Sequence, residues 1–149
     1  MRSEATDTAT VRPCVMVVED DADDREIYGR ILYYNGYDVV FAPTGSAALR
    51  LADEHPAGLV LLDLGLPDMG GLELLRALRT HPQYRSTPVI AISGYSRERR
   101  SEEAFAAGCT EYFEKPASPV QVLHGIERLV GRAPLSGVGR PPHLIDGGA

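Results

Sequence analysis

The chain contains little of what a secreted or membrane-spanning protein needs. Its 149 residues include two cysteines, Cys14 and Cys109, which lie far apart and form no CxxC pair, so no disulfide framework is expected. Each opens an apolar stretch and is predicted to be a buried small hydrophobe. No apolar run approaches the roughly 18 residues that cross a bilayer, and the first twelve residues are polar, unlike a signal peptide. These features predict a cytoplasmic protein with no membrane partner.

Positive charge is also scarce. The formal net charge is −6, with 15 Lys and Arg against 21 Asp and Glu, and no basic stripe offsets it. Because nucleic-acid binding depends on basic side chains that neutralise phosphates, no nucleic-acid partner is expected. Arginine supplies all but one of the basic residues, and Lys115 is the single lysine.

The length of the chain fits one domain, and its composition indicates where that domain lies. Gly, Pro and Arg interrupt any periodic pattern after residue 131, which is typical of a loop or tail. We therefore predict a flexible N-terminal tail at 1–12, one domain at 13–131 and a flexible Gly/Pro-rich C-terminal tail at 132–149.

Within the domain, short apolar runs alternate with segments of helical spacing. Gly36 and Gly108 are predicted to end helices, and Thr44 to begin one. The apolar runs predict five strands, at 14–18, 38–41, 59–62, 89–92 and 111–113. Most of these strands are nearly all apolar, as expected when helices cover both faces of a sheet. The pattern predicts an α/β fold of five βα units with a parallel sheet and right-handed crossovers.

Residues capable of chemistry follow four of the predicted strands. They are Glu19, Asp20 and Asp21 after the first strand, Asp63 after the third, Ser93 after the fourth and Lys115 after the fifth. In open parallel sheets, ligand sites lie beyond the carboxyl ends of the strands. The sequence therefore predicts one site at this edge of the sheet.

The acidic residues of this predicted site favour a metal ion. Glu19, Asp20 and Asp63 would bring three carboxylates together, which like-charge repulsion opposes unless a proton or a cation intervenes. Mg²⁺ fits because it prefers oxygen ligands and is commonly bound by one or two carboxylates, several waters and a substrate phosphate. Zn²⁺ is disfavoured because these loops contain neither His nor Cys.

The same residues favour phosphoryl transfer. A carboxylate can attack phosphorus to form an acyl phosphate, and Asp63 is the candidate nucleophile. Ser93 and Lys115 can each bind a phosphoryl oxygen. Taken separately, each residue has a simpler interpretation: an acidic helix N-terminus at Glu19, a turn before Pro67 for Asp63, and plain loops for the other two. Their order at successive strand ends favours a common site.

Four segments of the sequence together resemble the receiver domains of two-component signalling proteins, over about 13–131. They are residues 17–21 (VVEDD), 60–71 (VLLDLGLPDMGG), 92–94 (ISG) and 112–116 (YFEKP). The combination of motifs is highly specific. The resemblance implies a doubly wound, five-stranded parallel sheet with the flavodoxin-like strand order 2-1-3-4-5.

The resemblance also implies roles for the site residues. Asp63 would accept a phosphoryl group from a sensor histidine kinase or a histidine phosphotransfer protein. Mg²⁺ would be held by Asp20, Asp63 and the backbone carbonyl of Gly65, with Glu19 acting through a bound water. Asp21 is acidic too, but the family places its acidic pair directly after the last apolar residue of the first strand, which selects Glu19 and Asp20.

A conformational switch is part of the same resemblance. Ser93 would bind the phosphoryl oxygen and move toward it, and Tyr112 would be the aromatic residue that rotates in response. The change would reach the face formed by helix four, strand five and helix five, where a downstream protein would bind. A half-buried strand aromatic is the simpler interpretation of Tyr112. The family often has a cis peptide at the position of Lys115–Pro116.

One residue departs from the family pattern. Many relatives have a larger side chain at the second position after the phosphorylated aspartate, where this chain has Gly65. The phosphate would be less shielded there, although Tyr95, two residues after Ser93, could partly cover it.

The favoured function is a single-domain response regulator that signals by phosphorylation-dependent protein binding or by phosphorelay, and catalyses only its own phosphorylation and dephosphorylation. Two alternatives stay open. One is a binding module of the same fold that no longer depends on phosphorylation, although every site residue type is present. The other is a phosphatase with an aspartyl-phosphate intermediate, but such enzymes carry a second Asp two residues after the nucleophile, where this chain has Gly65.

Overall fold

A computed structural model of the protein describes residues 12–131 and 144–146. Its centre is a parallel sheet in the order β5-β4-β3-β1-β2-β6. The strands are β1 (Cys14–Val18), β2 (Asp38–Ala42), β3 (Leu59–Asp63), β4 (Val89–Ser93), β5 (Glu111–Glu114) and β6 (Leu144–Asp146). The predicted five-stranded parallel core with the order 2-1-3-4-5 is confirmed.

Five α-helices and one short 3₁₀ helix connect the strands. They are α1 (Ala22–Tyr34), α2 (Gly45–Glu54), α3 (Gly71–Thr80), the 3₁₀ helix (Pro82–Tyr84), α4 (Arg97–Ala107) and α5 (Pro119–Val130). The predicted caps are present. Gly36 and Gly108 have φ of 98° and 115°, a left-handed conformation that glycine adopts without strain, and the Thr44 side chain accepts from the amide of Ala47 at the start of α2.

The sheet divides the hydrophobic core into two clusters because successive side chains of a strand point to opposite faces. On one face, Met16 and Val18 of β1 pack with residues of α2, α3 and α4. On the other face, Val15 and Val17 pack with residues of α1 and α5. Helices therefore cover both faces, which is why the inner strands are almost entirely apolar.

The structure differs from the predicted tails at two places. Arg12 belongs to the folded domain: its guanidinium bonds Asp38 at 2.9 Å and the carbonyls of Tyr33 and Tyr37 at 2.6 and 2.8 Å. Residues 144–146 form β6, which pairs in parallel with β2. Neither contact has a local sequence pattern, since each joins segments that are far apart in the chain. The rest of both predicted tails, 1–11, 132–143 and 147–149, lies outside the described residues.

The two cysteines are free thiols, Cys109 buried and Cys14 half-buried, in agreement with the predicted hydrophobic role. Among the helices that the structure describes, none combines the length and the apolar character needed to cross a membrane.

Candidate functional site

The carboxyl ends of β1, β3, β4 and β5 meet at one edge of the sheet. Backbone hydrogen bonds continue past the strand ends there, from Leu64 N to the carbonyl of Ile92 at 2.9 Å and from Lys115 N to the carbonyl of Ser93 at 2.7 Å. These bonds hold the loops that follow the strands side by side. The loops enclose a cavity of about 390 Å³, lined by Glu19, Asp20, Asp21, Asp24, Asp63, Gly65, Ser93, Gly94, Tyr95 and Lys115. The predicted site residues are thus brought together.

Three carboxylates form the acidic part of the site. Glu19, Asp20 and Asp63 each offer an oxygen, and these oxygens lie within 4.8 Å of one another. Glu19 and Asp63 are buried, whereas Asp20 is exposed. Asp21 has a different place, because its side chain accepts from the amide of Asp24 at 3.0 Å and begins α1.

Lys115 is the cation of the site. Its Nζ donates to Oδ2 of Asp63 at 2.9 Å and lies 3.6 Å from Oε1 of Glu19. The other oxygen of Asp63, Oδ1, accepts from the amide of Gly65 at 2.9 Å. The Lys115–Pro116 peptide is cis, as the resemblance indicated. Both oxygens of the candidate phosphoacceptor are therefore engaged by donors.

Burial and crowding shift the pKa values of these groups. Burial, and next the neighbouring Asp63 carboxylate, raise the pKa of Glu19 to about 8 although the charge of Lys115 lowers it. Burial also acts to raise the pKa of Asp63, but hydrogen bonds from Glu19, Gly65 and Lys115 outweigh it and lower that pKa. Burial opposes the charge on Lys115, but the two carboxylates outweigh it and raise its pKa. Lys115 and the other donors around Asp63 thus favour ionisation of Asp63, whereas burial opposes ionisation of Glu19.

The donor set fits a hard divalent cation. The cluster offers carboxylate oxygens, and among the described residues that line it there is no His or Cys, so the ligand chemistry matches Mg²⁺ rather than Zn²⁺. Burial is the largest cause of the raised pKa of Glu19, and repulsion by the Asp63 carboxylate adds to it. A further cation at this cluster would relieve that repulsion.

Ser93 and Tyr95 also line the cavity, and Tyr112 contacts Tyr95 from the interior. Ser93 is buried, and its Oγ accepts from the amide of Tyr95 at 3.0 Å. Tyr112 is 2% exposed, and its hydroxyl donates to the carbonyl of Tyr95 at 2.9 Å. The Tyr95 ring is half-exposed and stacks under the guanidinium of Arg100, 4.6 Å from the ring centre. Tyr112 is therefore turned inward and linked to the segment that follows Ser93.

Sequence reasoning missed two residues that hold the loops of the site. Arg25, one turn into α1, donates to the carbonyls of Glu19 and Asp20 at 2.9 and 3.1 Å and so fixes the acidic loop. Asp68, after β3, bonds the start of α2 through Gly45 and Ser46. These contacts join side chains to the backbone of other segments, and no sequence spacing signals them.

Comparisons with known proteins agree with this geometry. Residues 15–127 match the family described as the response regulator receiver domain. The chain is 32% identical over 119 residues to the polar-differentiation response regulator DivK of Brucella ovis, covering 80% of this chain and 97% of DivK. The structure is similar to the chemotaxis response regulator CheY4 of Vibrio cholerae, with a TM-score of 0.76, 29% identity, and coverage of 80% of this chain and 100% of CheY4. A CheY-like receiver domain protein from Methanospirillum hungatei matches with a TM-score of 0.74, 28% identity, and coverage of 80% and 94%.

The fold and the site define a doubly wound α/β protein with an acidic pocket and one lysine at the carboxyl edge of its sheet. The chain belongs to the response regulator receiver domain family. It functions in two-component, phosphorylation-dependent signalling, and receiver domains are signalling proteins rather than conventional enzymes. As a class they bind Mg²⁺ at an acidic pocket and act between histidine kinases and downstream targets.

Proposed function

We propose that Asp63 is the phosphoacceptor of this protein, that Ser93 and Lys115 assist the transfer, and that the phosphorylated form signals by binding a protein or by passing the phosphoryl group onward. One observation carries the proposal. The Asp63 carboxylate lies in the cavity at the end of β3, with Lys115 on one oxygen, the Gly65 amide on the other, and two further carboxylates beside it.

The transfer is an exchange of one bond to phosphorus for another. A carboxylate oxygen of Asp63 attacks the phosphorus of a phosphohistidine, the P–N bond breaks, and its electron pair returns to the imidazole, which takes up a proton. The product is an acyl phosphate on Asp63. Dephosphorylation is a separate step: water attacks the phosphorus, the bond to Asp63 breaks and returns the carboxylate, and inorganic phosphate leaves. The chain thereby catalyses only its own phosphorylation and dephosphorylation.

Asp20, Asp63 and the Gly65 carbonyl would hold Mg²⁺, and Glu19 would act on it through a bound water. The ion supplies positive charge to the oxygens of the transferred group. Lys115 supplies a second positive charge: its ammonium already reaches Asp63 at 2.9 Å, so it needs little movement to bind an oxygen of the new phosphoryl group. Ser93 would donate its hydroxyl to another of these oxygens.

The conformational change caused by phosphorylation would be transmitted from Ser93 to Tyr112. Ser93 Oγ and the Tyr112 hydroxyl both bond Tyr95, one at its amide and the other at its carbonyl. Movement of Ser93 toward a phosphoryl group would therefore pull on the segment that holds the Tyr112 ring. We propose that this changes the surface of α4, β5 and α5, where the downstream protein binds.

We also propose the identity of the phosphoryl donor and the compartment in which the protein acts. We propose a sensor histidine kinase or a histidine phosphotransfer protein as the donor, because forming an acyl phosphate needs a high-energy phosphoryl donor and a phosphohistidine is one. We place the protein in the cytoplasm, which the two free thiols suit, since disulfides are rare there.

A mass measurement tests the phosphoacceptor. The full chain is incubated with a small acyl phosphate and Mg²⁺, and its intact mass is compared with that of Asp63→Asn and of Asp23→Asn. Asp23 is an exposed acid in the first turn of α1, so it controls for the loss of one negative charge. We expect one added phosphoryl group in the parent and in Asp23→Asn, none in Asp63→Asn, and none without Mg²⁺.

Two results would contradict the proposal. Phosphorylation of Asp63→Asn to the parent level would assign the acceptor to another residue. A parent that neither gains mass nor binds Mg²⁺ would favour the phosphorylation-independent binding module.

A further inference from the structure

The loop between β3 and α3, residues 64–70, is tied at its middle to another helix. Oδ1 of Asp68 accepts from the amide of Gly45 at 2.9 Å, and Oδ2 accepts from the amide and the hydroxyl of Ser46 at 3.0 and 3.1 Å. Gly45 and Ser46 are the first two residues of α2. A side chain from the loop therefore binds the N-terminus of a helix more than 20 residues earlier in the chain.

The interaction between the Asp68 carboxylate and the start of α2 is favourable for two physical reasons. The first amides of a helix lack partners within the helix, and the positive end of the helix dipole attracts a carboxylate. Thr44, the N-cap of α2, accepts a hydrogen bond from the amide of Ala47. Asp68 accepts hydrogen bonds from two other amides of the first turn, those of Gly45 and Ser46. The hydrogen bonds from Gly45 and Ser46 lower the pKa of Asp68 to about 2 although the side chain is exposed. The carboxylate is thus ionised at any pH at which the protein would work.

Packing holds the same part of the loop. A Cβ added to Gly45 would collide with Cγ of Met69, so the Met69 side chain lies directly on the backbone at the start of α2. The two ends of the loop are fixed separately: Leu64 bonds Ile92 of β4, and Gly71 bonds the carbonyl of Leu64. Between these ends, the contacts of Asp68 and Met69 attach the loop to the start of α2.

Gly65 lies in this arch, two residues after the proposed phosphoacceptor and three before Asp68. Its amide bonds Asp63, and it lines the cavity. A glycine has no side chain of its own to fix its orientation, and a Cβ built on Gly65 would meet only Oδ1 of Asp63, at 3.6 Å. The direction of the Gly65 carbonyl depends on how the rest of the loop is held.

We propose that Asp68 is a positioning residue for the phosphorylation site: by binding the start of α2 it fixes the loop that carries Gly65, and so sets the affinity for Mg²⁺ and the rate at which Asp63 is phosphorylated. The inference rests on the proposed function, since it assigns Asp68 a role toward the metal and the acceptor. Asp68 contacts neither of them and acts through the loop.

The test compares Asp68→Ala with Thr44→Ala in the full chain. Both variants remove a hydrogen bond from the start of α2, but only Asp68→Ala releases the loop. Three quantities are measured: Mg²⁺ affinity by calorimetry, amide hydrogen exchange of residues 64–70 without metal, and the rate of Asp63 phosphorylation by a small acyl phosphate. Asp68→Asn, which keeps the size and one oxygen acceptor, is the conservative variant.

We expect Asp68→Ala to bind Mg²⁺ roughly tenfold more weakly or worse, the loss typical of residues that orient metal ligands from behind. Exchange in residues 64–70 should be faster, and phosphorylation should be slower in proportion to the lost affinity at low Mg²⁺. Asp68→Asn should recover part of the affinity. Thr44→Ala should lower stability while its Mg²⁺ affinity equals that of the parent.

Equal Mg²⁺ affinity in Asp68→Ala and the parent would overturn the positioning role and leave Asp68 as a helix cap only. An equal loss of affinity in Thr44→Ala and Asp68→Ala would do the same. If Asp68→Ala does not fold, Asp68→Asn against Thr44→Ala decides in the same way. A parent that binds no Mg²⁺ would instead defeat the proposed function itself, and with it this inference.

Discussion

Lys115 and Asp63 form an ion pair at 2.9 Å across 52 residues of sequence and across the width of β4. The pair joins the ends of β3 and β5, which are not neighbours in the sheet. Because Lys115 is the single lysine of the chain, no other ammonium side chain can take its place. Lys115 is therefore the side chain that offsets the negative charge of the buried carboxylates of Glu19 and Asp63.

Replacing Lys115 should slow phosphorylation while Asp63 stays intact. Removing one preorganised donor to the transferred oxygens costs roughly 100-fold in rate, and we expect a loss of this size in Lys115→Ala. Lys115→Arg should recover little, because a planar guanidinium does not fit the place of a compact ammonium. The rate of mass gain with an acyl phosphate at saturating Mg²⁺ measures both. Parent-like rates in Lys115→Ala would remove Lys115 from the transfer step.

Mg²⁺ should stabilise the fold. Glu19, Asp20 and Asp63 lie close together, and like-charge repulsion opposes ionisation of all three unless a cation binds. An ion that binds only the folded state at 100 times its Kd adds about 2.7 kcal/mol to the free energy of unfolding. Melting curves with and without Mg²⁺ measure the effect. Asp63→Asn should reduce it, whereas Asp23→Asn should leave it unchanged. Coincident curves for the parent would count against the metal site.

A side chain at position 65 should slow the loss of the phosphoryl group. Only Asp63 Oδ1 lies near a Cβ built on Gly65, so Gly65→Asn should fold normally. The new side chain would extend over the acceptor and hinder the attacking water. Phosphate release after removal of excess donor gives the rate. Tyr95 also lines the cavity, and Tyr95→Ala shows how much shielding the tyrosine provides. An unchanged rate in Gly65→Asn would exclude Gly65 from control of the lifetime.

The thiol of Cys14 should react slowly with alkylating reagents. Burial, and next the Asp38 carboxylate, raise its pKa from 9.0 to about 11. A raised thiol pKa means that the reactive thiolate forms only at higher pH, and a difference of two units makes thiolate roughly 100-fold scarcer at pH 8. The alkylation rate of Cys14 should therefore keep rising with pH beyond 9. Asp38→Asn should shift that profile to lower pH, and a profile with its midpoint at 9 in the parent would contradict the shift.

The backbone of β2 should lose protection when β6 is disrupted. The amide of Asp38 and the carbonyl of Ala42 point toward β1, and backbone groups alternate along a strand, so those of Val40 also face β1 while those of Phe41 face β6. Ile145→Pro, which removes an amide of β6, should speed hydrogen exchange at Phe41. Val40 is the internal control and should not change. Equal exchange at Phe41 in both proteins would mean that β6 does not protect this edge.

Most of the fold could be predicted because its signals are local. The apolar runs give β1 correctly, and they place each of β2 to β5 with one residue missing at the end. Two of the missing residues, Asp63 and Ser93, are polar, so they end the apolar pattern, but their backbones still pair with Ile92 and Glu114. The polar residues of the site stand at the strand ends, which is why the apolar pattern stops there.

The features that sequence reasoning missed are contacts between distant segments. Arg12 bonds carbonyls at the end of α1, Asp68 bonds amides at the start of α2, and β6 adds to the edge of β2. Backbone groups have no sequence signature, because every residue has them. A side chain that binds them can only be recognised once the fold has placed the two segments together.

The single lysine also has a chemical consequence. Reagents that acylate amines find one side-chain target in the chain, and its Nζ is bonded to Asp63 with the side chain 31% exposed. The raised pKa of Lys115 keeps that amine protonated and slow to react. Any event that changes its partner, whether a metal ion, a phosphoryl group or the loss of Asp63, changes its reactivity. The protein thus contains a single side-chain site for amine labelling, and peptide mapping of acylated Lys115 reports the state of the pocket.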